Sequence, residues 1–149
     1  MFDITEDRDN HYIKQLSIFL PNRLGQLLMV HRIFDAHDIK LCAVSIVEAA
    51  DHAVARVVVD KPTLAQQMLI TEGYSVVDAD LIAVVLPNEV GIGRVLKAML
   101  LRELNVHYVY SLITQNRGRT IVALHAEDPD VAEEILTEQG FRLIGQDDL

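Results

Sequence analysis

The segment Leu20-Pro-Asn-Arg-Leu-Gly25 (LPNRLG) returns as Leu86-Pro-Asn-Glu-Val-Gly91 (LPNEVG) in a chain of 149 residues. Each copy follows an apolar run and precedes a stretch with helical spacing. Upstream of the first, IKQLSIFL (13–20) puts Leu16, Ile18 and Leu20 on one side of an extended chain, the period-two pattern of a strand. Downstream, Leu24, Leu27, Leu28, Ile33 and Phe34 recur at the spacing of an amphipathic helix over 23–37. A second strand is expected over 39–47 (IKLCAVSIV), a polar loop over 48–52 and a third strand over 53–59. Pro62 opens a second helix, where its missing N–H costs little. Gly73 caps that helix, and a short fourth strand begins over 74–77. Strand, helix, strand, strand, helix, strand is the ferredoxin-like order, an antiparallel sheet with two helices on one face.

The order then repeats. DLIAVVL (80–86) reads as a strand, and Ile92, Val95, Leu96, Met99 and Leu100 mark a helix over 89–104. Strands over 106–114 and 120–125 flank a loop over 115–119. Asp128-Pro129-Asp130 opens a last helix, Gly140 closes it, and 141–144 forms the final strand. Pro21 matches Pro87, Gly25 matches Gly91, Pro62 matches Pro129, and Gly73 matches Gly140. Leu64, Ala65, Met68 and Leu69 recur as Val131, Ala132, Ile135 and Leu136, and this spacing assigns one extra residue to the first helix of the second half. The expected fold is therefore α+β: two ferredoxin-like βαββαβ units packed side by side, over residues 12–79 and 80–149, behind a flexible tail over 1–11. Runs such as LIAVVL (81–86) lack the alternation of a sheet with one wet face. The second face is expected to be covered by another copy, in a homodimer packed through sheets.

The net charge of −9 and the scatter of the 13 Lys and Arg argue against nucleic acid. The N-terminal stretch is acidic and polar, unlike a signal peptide, and no apolar run reaches the length of a membrane helix. Cys42 stands alone, which excludes an intrachain disulfide and a cysteine-rich metal site. A cytoplasmic protein without membrane attachment is the expectation.

Catalytic signatures are missing. There is no phosphate-binding loop, dinucleotide fingerprint, HExxH or nucleophile elbow. His31 and His37 lie six apart, wrong for one helical face, and His107 and His125 fall on different strands. No catalytic residue, metal or cofactor is expected. The repeated turn remains. Asn22 and Asn88 suit a helix N-cap. Gly25 and Gly91 fall in the first turn of a helix, where Gly costs about 0.5–1 kcal/mol relative to Ala. Keeping that cost twice points to close approach of something to this backbone, either a neighbouring strand or a ligand. A helix N-terminus suits a carboxylate and an Asn amide offers both donor and acceptor, so the pair could hold the zwitterionic end of an amino acid.

With QLSIFLPNRLGQL in one half and LIAVVLPNEVGIG in the other, the chain resembles stand-alone proteins made of two ACT domains. The resemblance covers residues 13 to about 147. It implies a regulatory protein that binds amino acids or other small ligands between paired domains. The implied site is the turn after the first strand, facing a residue at the start of the second strand of a paired domain. Carried over, this gives Asn22, Arg23, Leu24 and Gly25 with Lys40, and Asn88, Glu89, Val90 and Gly91 with His107. Leu24 and Val90 stand where the family often has Pro. Arg23 and Lys40 against Glu89 and His107 make the two sites unlike in charge, the first favouring an anionic group. The implied function is non-catalytic: an amino-acid-binding regulator of a partner enzyme of amino-acid metabolism. The alternatives are a subunit acting by protein contact alone, with both turns serving packing, and a small enzyme on the same fold.

Overall fold

The computed structural model describes residues 11–21, 23–88 and 91–149. All of the expected tail but His11 lies outside them. The chain runs β1 (Ile13–Pro21), α1 (Gln26–Ala36), β2 (Leu41–Glu48), β3 (His52–Val59), α2 (Pro62–Thr71), β4 (Ser75–Val85), α3 (Gly91–Leu101), β5 (Val106–Asn116), β6 (Arg119–Ala126), α4 (Pro129–Glu138), β7 (Arg142–Ile144) and a 3-10 turn (Gln146–Asp148). It divides into two compact units, Lys14–Ala79 and Asp80–Asp148, with Ile13 assigned to the latter. Each unit has the ferredoxin-like order, and the fold is α+β with antiparallel ladders.

In the first unit the strands lie in the order β2-β3-β1-β4. β1 pairs with β3 from Gln15 opposite Val58 to Pro21 opposite His52. One face of this sheet presents Leu16, Ile18 and Leu20 beside Ala55, Val57 and Val59. Val30 and Phe34 of α1 pack on it together with Ala65 and Leu69 of α2, so both helices cover the same face. Burying each large side chain contributes about 1.5–3 kcal/mol. The second unit repeats the arrangement. Ile82, Val84 and Leu86 join Val122, Leu124 and Ala126 beneath Val95 and Met99 of α3 and Ala132, Ile135 and Leu136 of α4.

The structure departs from expectation at several points, each with a local cause. Leu24 is fully exposed and Leu28 half exposed, because α1 begins only at Gln26 and its buried stripe runs through Val30 and Phe34. Leu96 and Leu100 are likewise exposed on α3. The strands expected over 74–77 and 80–86 are one strand, β4. Asp78-Ala79-Asp80 holds neither Gly nor Pro and continues in extended form. The loop expected over 115–119 contracts to a two-residue turn. Asn116 pairs with Arg119, while Arg117 (φ 49) and Gly118 (φ 74) are both left-handed, the type I′ geometry that suits strand twist.

The repeat is also offset differently. Phe34 and Met99 accept matching C-terminal bonds, from Ile39 and Leu104, both N···O near 2.9–3.0 Å, and Asp38 (φ 54) and Glu103 (φ 53) follow the two helices in the same left-handed conformation. Gln26 therefore corresponds to Gly91 as first helical residue. The second half is one residue shorter ahead of its helix rather than one longer within it, and it is longer in the β5–β6 hairpin, whose β5 has 11 residues against 8 in β2. Finally, Ile13, Val58, Leu81, Ala83, Ile121 and Ala123, from the strand faces away from the helices, are buried within a single chain.

Candidate ligand-binding site

The two Pro-Asn-x-x-Gly turns share letters but not conformation. After β1 the Arg23 N–H donates to the Pro21 carbonyl at 2.7 Å, and Leu24 projects into solvent. Gly25 caps α1 at φ 84, with no side-chain capping bond. A Cβ built on Gly25 would meet nothing within 4 Å. Glycine is there for its backbone freedom. The N-cap expected of Asn22 falls instead to Gly25, and Asn22 itself lies outside the described residues.

After β4 the Leu86 N–H donates to the Thr120 carbonyl at 2.9 Å and the Gly91 N–H to the Asn88 carbonyl at 3.2 Å. The Pro87 carbonyl accepts from the Arg119 guanidinium. Gly91 is buried, and a Cβ there would stand 2.8 Å from Cδ of Pro87. Glycine is required here by close approach, and the approaching group is the ring of the turn's own proline. Glu89 and Val90 lie outside the described residues.

Lys40 immediately precedes β2. Its N–H donates to the Asp60 carboxylate at 2.7 Å, and its carbonyl accepts from the Asp60 N–H at 3.1 Å. In the second unit the Glu127 N–H bonds the carbonyl of Asn105 at 2.9 Å. The counterpart of Lys40 is therefore Asn105, not His107. His107 sits at the register shift between Val106 and Tyr108, as Cys42 sits at the shift between Leu41 and Ala43. The bulge is common to both halves and shifts neither against the other. The two-position mismatch arises because the second half is shorter ahead of its first helix and regains length only later, in the β5–β6 hairpin. Cys42 is buried. His107 is exposed, its Nδ1 3.1 Å from Nδ1 of His125, whose ring stacks on Tyr108 at 4.7 Å between centroids.

The ladders separate turn from partner residue within each unit. Pro21 lies opposite His52 at one end of β3, and Leu41 opposite Val59 at the other. At a rise of about 3.3 Å per residue the two ends stand about 23 Å apart. In the second unit Leu86 bonds the Thr120 end of β6, while Val106 pairs with Ala126 at its far end. One unit does not bring its own turn and its own partner residue together. Val44 lines a different place, an apolar cleft of about 310 Å³ with Leu27, Leu28 and Phe34.

Among the described residues no group of three or more His, Cys, Asp or Glu could hold a metal, and no helix is long and apolar enough to cross a membrane. Residues 11–149 match the model of a family described as the ACT domain pair. A protein from Bacteroides thetaiotaomicron is 27% identical, with a TM-score of 0.85 over 94% of this chain and 96% of its own. The ligand-free regulatory subunit of aspartate kinase from Thermus thermophilus is 13% identical, with a TM-score of 0.61 over 87% of this chain and 93% of its own. Its counterpart from Thermus flavus is also 13% identical, with a TM-score of 0.56 over the same shares. At 13% the likeness is one of fold. No curated protein matches.

Proposed function

This chain belongs to the family of ACT domain pairs, and from that premise we propose that it is a non-catalytic regulator that binds an amino acid between paired domains and modulates a partner enzyme of amino-acid metabolism. The observation that carries this reading is the placement of turn and partner at opposite ends of each sheet, with Lys40 and Asn105 in equivalent, exposed positions. A turn from one domain and Lys40 or Asn105 from another supply what an amino acid needs. Backbone N–H groups at a helix start serve the carboxylate, and a cation or an amide serves the rest. The two domains are residues 12–79 and 80–149. The sites comprise Asn22 to Gly25 and Asn88 to Gly91, with Lys40 and with Asn105 in place of His107. A homodimer belongs to the reading, joined through sheet edges: Ile46 and Val47 on β2 and Ile113 on β5 are exposed apolar residues on strands that end their sheets.

The test is a thermal-shift and calorimetric screen of the full chain against the twenty amino acids. A ligand at one hundred times its Kd adds about 2.7 kcal/mol, a clear rise in Tm. Lys40→Ala and Asn105→Ala should weaken it. If no amino acid at millimolar concentration moves Tm or gives heat, the reading is wrong. A second reading, a subunit acting by contact alone, has one specific observation in its favour: both turn glycines are explained without a ligand. Capture of a partner enzyme whose activity changes identically with and without every amino acid would establish it.

A further inference from the structure

In the second unit, the turn at Pro87, the β5–β6 hairpin and the segment entering β7 enclose a cleft of about 380 Å³, into whose lining four arginines converge: Arg94, Arg117, Arg119 and Arg142. The chain carries only 13 Lys and Arg against 22 Asp and Glu, so four in one cleft is a concentration of charge against the trend. Among the described residues none of the four makes an ion pair with a carboxylate, and no described acidic residue lines the cleft. The local structure holds them in place. Arg117 sits on the tight type I′ turn, Arg119 donates to the Pro87 carbonyl, Arg142 opens β7 opposite Val85, and the Arg94 guanidinium lies 4.9 Å over the ring of Phe141. Among the described residues Asn116 beside them has a buried Oδ1 without a hydrogen-bond partner, a deficit of about 1–3 kcal/mol that a donor on a ligand's organic body, not its phosphate, would remove.

The fold does not demand this charge. The first unit has the corresponding cleft, at Pro21, the start of β3 and the Gly73–Ser75 segment, with His52 where Arg119 stands, Ser75 where Arg142 stands, and Glu72 in its wall. That corner folds without arginines.

We propose that the second-unit cleft is a binding site for a small phosphorylated molecule, its phosphate or diphosphate held by Arg94, Arg117, Arg119 and Arg142. A single carboxylate leaves most of this positive charge uncompensated. A phosphate presents several oxygens and more than one negative charge to guanidinium forks whose planar geometry matches it. The volume exceeds that of the phosphate itself and has room for an organic body. The cleft shares the Pro87 turn with the second amino-acid site proposed above, but its four arginines are not among that site's residues and the proposal does not depend on it.

The experiment titrates the full chain calorimetrically with sodium pyrophosphate at constant ionic strength, with citrate and inorganic phosphate as parallel arms. Pyrophosphate is expected to bind saturably at one per chain. An Arg117→Asn, Arg142→Gln double variant keeps a residue tolerant of positive φ at 117 and should lose roughly a hundredfold in affinity, as two charge-assisted hydrogen bonds imply. Arg32→Gln, on α1, should change nothing. Independently of any variant, pyrophosphate should protect Arg117 and Arg142 from phenylglyoxal, read by mass spectrometry. Absence of saturable binding, equal affinity in the double variant, or unprotected arginines overturns the proposal. Citrate binding more tightly than pyrophosphate overturns the phosphate assignment in favour of a polycarboxylate.

Discussion

Gly91→Ala separates the two meanings of one motif. Gly91 is the first residue of α3 and lacks the positive φ of Gly25, so Ala there gains helix propensity of up to about 1 kcal/mol. Against this, the new methyl would lie 2.8 Å from Cδ and 3.4 Å from Cγ of Pro87, and 3.5 Å from Cβ of Leu86. These neighbours are a stiff ring and a residue just past a strand, not the free end of a long side chain. Overpacking of this kind costs about 1–3 kcal/mol, so the net loss is about 0–2 kcal/mol, and Tm falls by about 2–4 °C per kcal/mol in a chain of this size. The decisive measurement is the cycle with Pro87→Ala, followed by urea denaturation. Without the ring, Gly91→Ala should become stabilising by up to about 1 kcal/mol, giving a coupling of about 1–3 kcal/mol. Gly25→Ala has open space around it but a φ of 84. It should lose about 1–2 kcal/mol of left-handed strain, independent of Pro21→Ala. If the two glycines respond alike, or the coupling between residues 87 and 91 is absent, the steric account fails.

Burial, and then the hydrogen bond to Asp130, push the Tyr12 phenol above its ordinary pKa of 10.0. The folded chain holds that proton more tightly than the unfolded one, so the contribution is complete below about pH 10 and is lost as pH rises beyond it. Between about pH 10 and 12, Tyr12→Phe should flatten the decline of Tm seen in the unsubstituted chain; parallel declines would refute this. Asp128 caps α4, its Oδ1 accepting from the Val131 N–H at 3.2 Å, and Asp128→Ala should lower stability by about 0.5–2 kcal/mol in urea. Leu69→Ala empties a fully buried position between α2 and the first sheet and should cost about 2–5 kcal/mol, read from the same transitions.

Much of the fold is legible because burial imposes a period: Leu16, Ile18 and Leu20 alternate, and Ala65 with Leu69 marks a helix stripe. The errors arise where letters repeat but backbone does not. Both turns spell Pro-Asn-x-x-Gly, yet one glycine supplies a left-handed φ and the other makes room for a ring, a difference fixed by neighbours that a sequence does not display. Gly25 and Gly91 are not structural equivalents, since α1 starts after the one and α3 at the other, so the spacing from these glycines points to His107 instead of Asn105. Asn105 is a polar residue just before a strand, but the length changes at the turn and in the β5–β6 hairpin hide its equivalence to Lys40. The arginine cleft is illegible for a related reason. Its four arginines lie on three segments between residues 94 and 142, α3, the β5–β6 hairpin and β7, which only the folded chain brings together.

The shortened second turn has a consequence for how such a duplicated chain can change. Deleting a residue ahead of a helix would ordinarily rotate every later side chain by about 100° and swing the apolar stripe out of the core. Here the cap glycine became the first helical residue, so Ile92, Val95 and Met99 keep the phase of Leu27, Val30 and Phe34. The one-residue difference in turn length is absorbed by a different conformation at one glycine. The turns are therefore free to drift apart in length and chemistry while the interior stays in step.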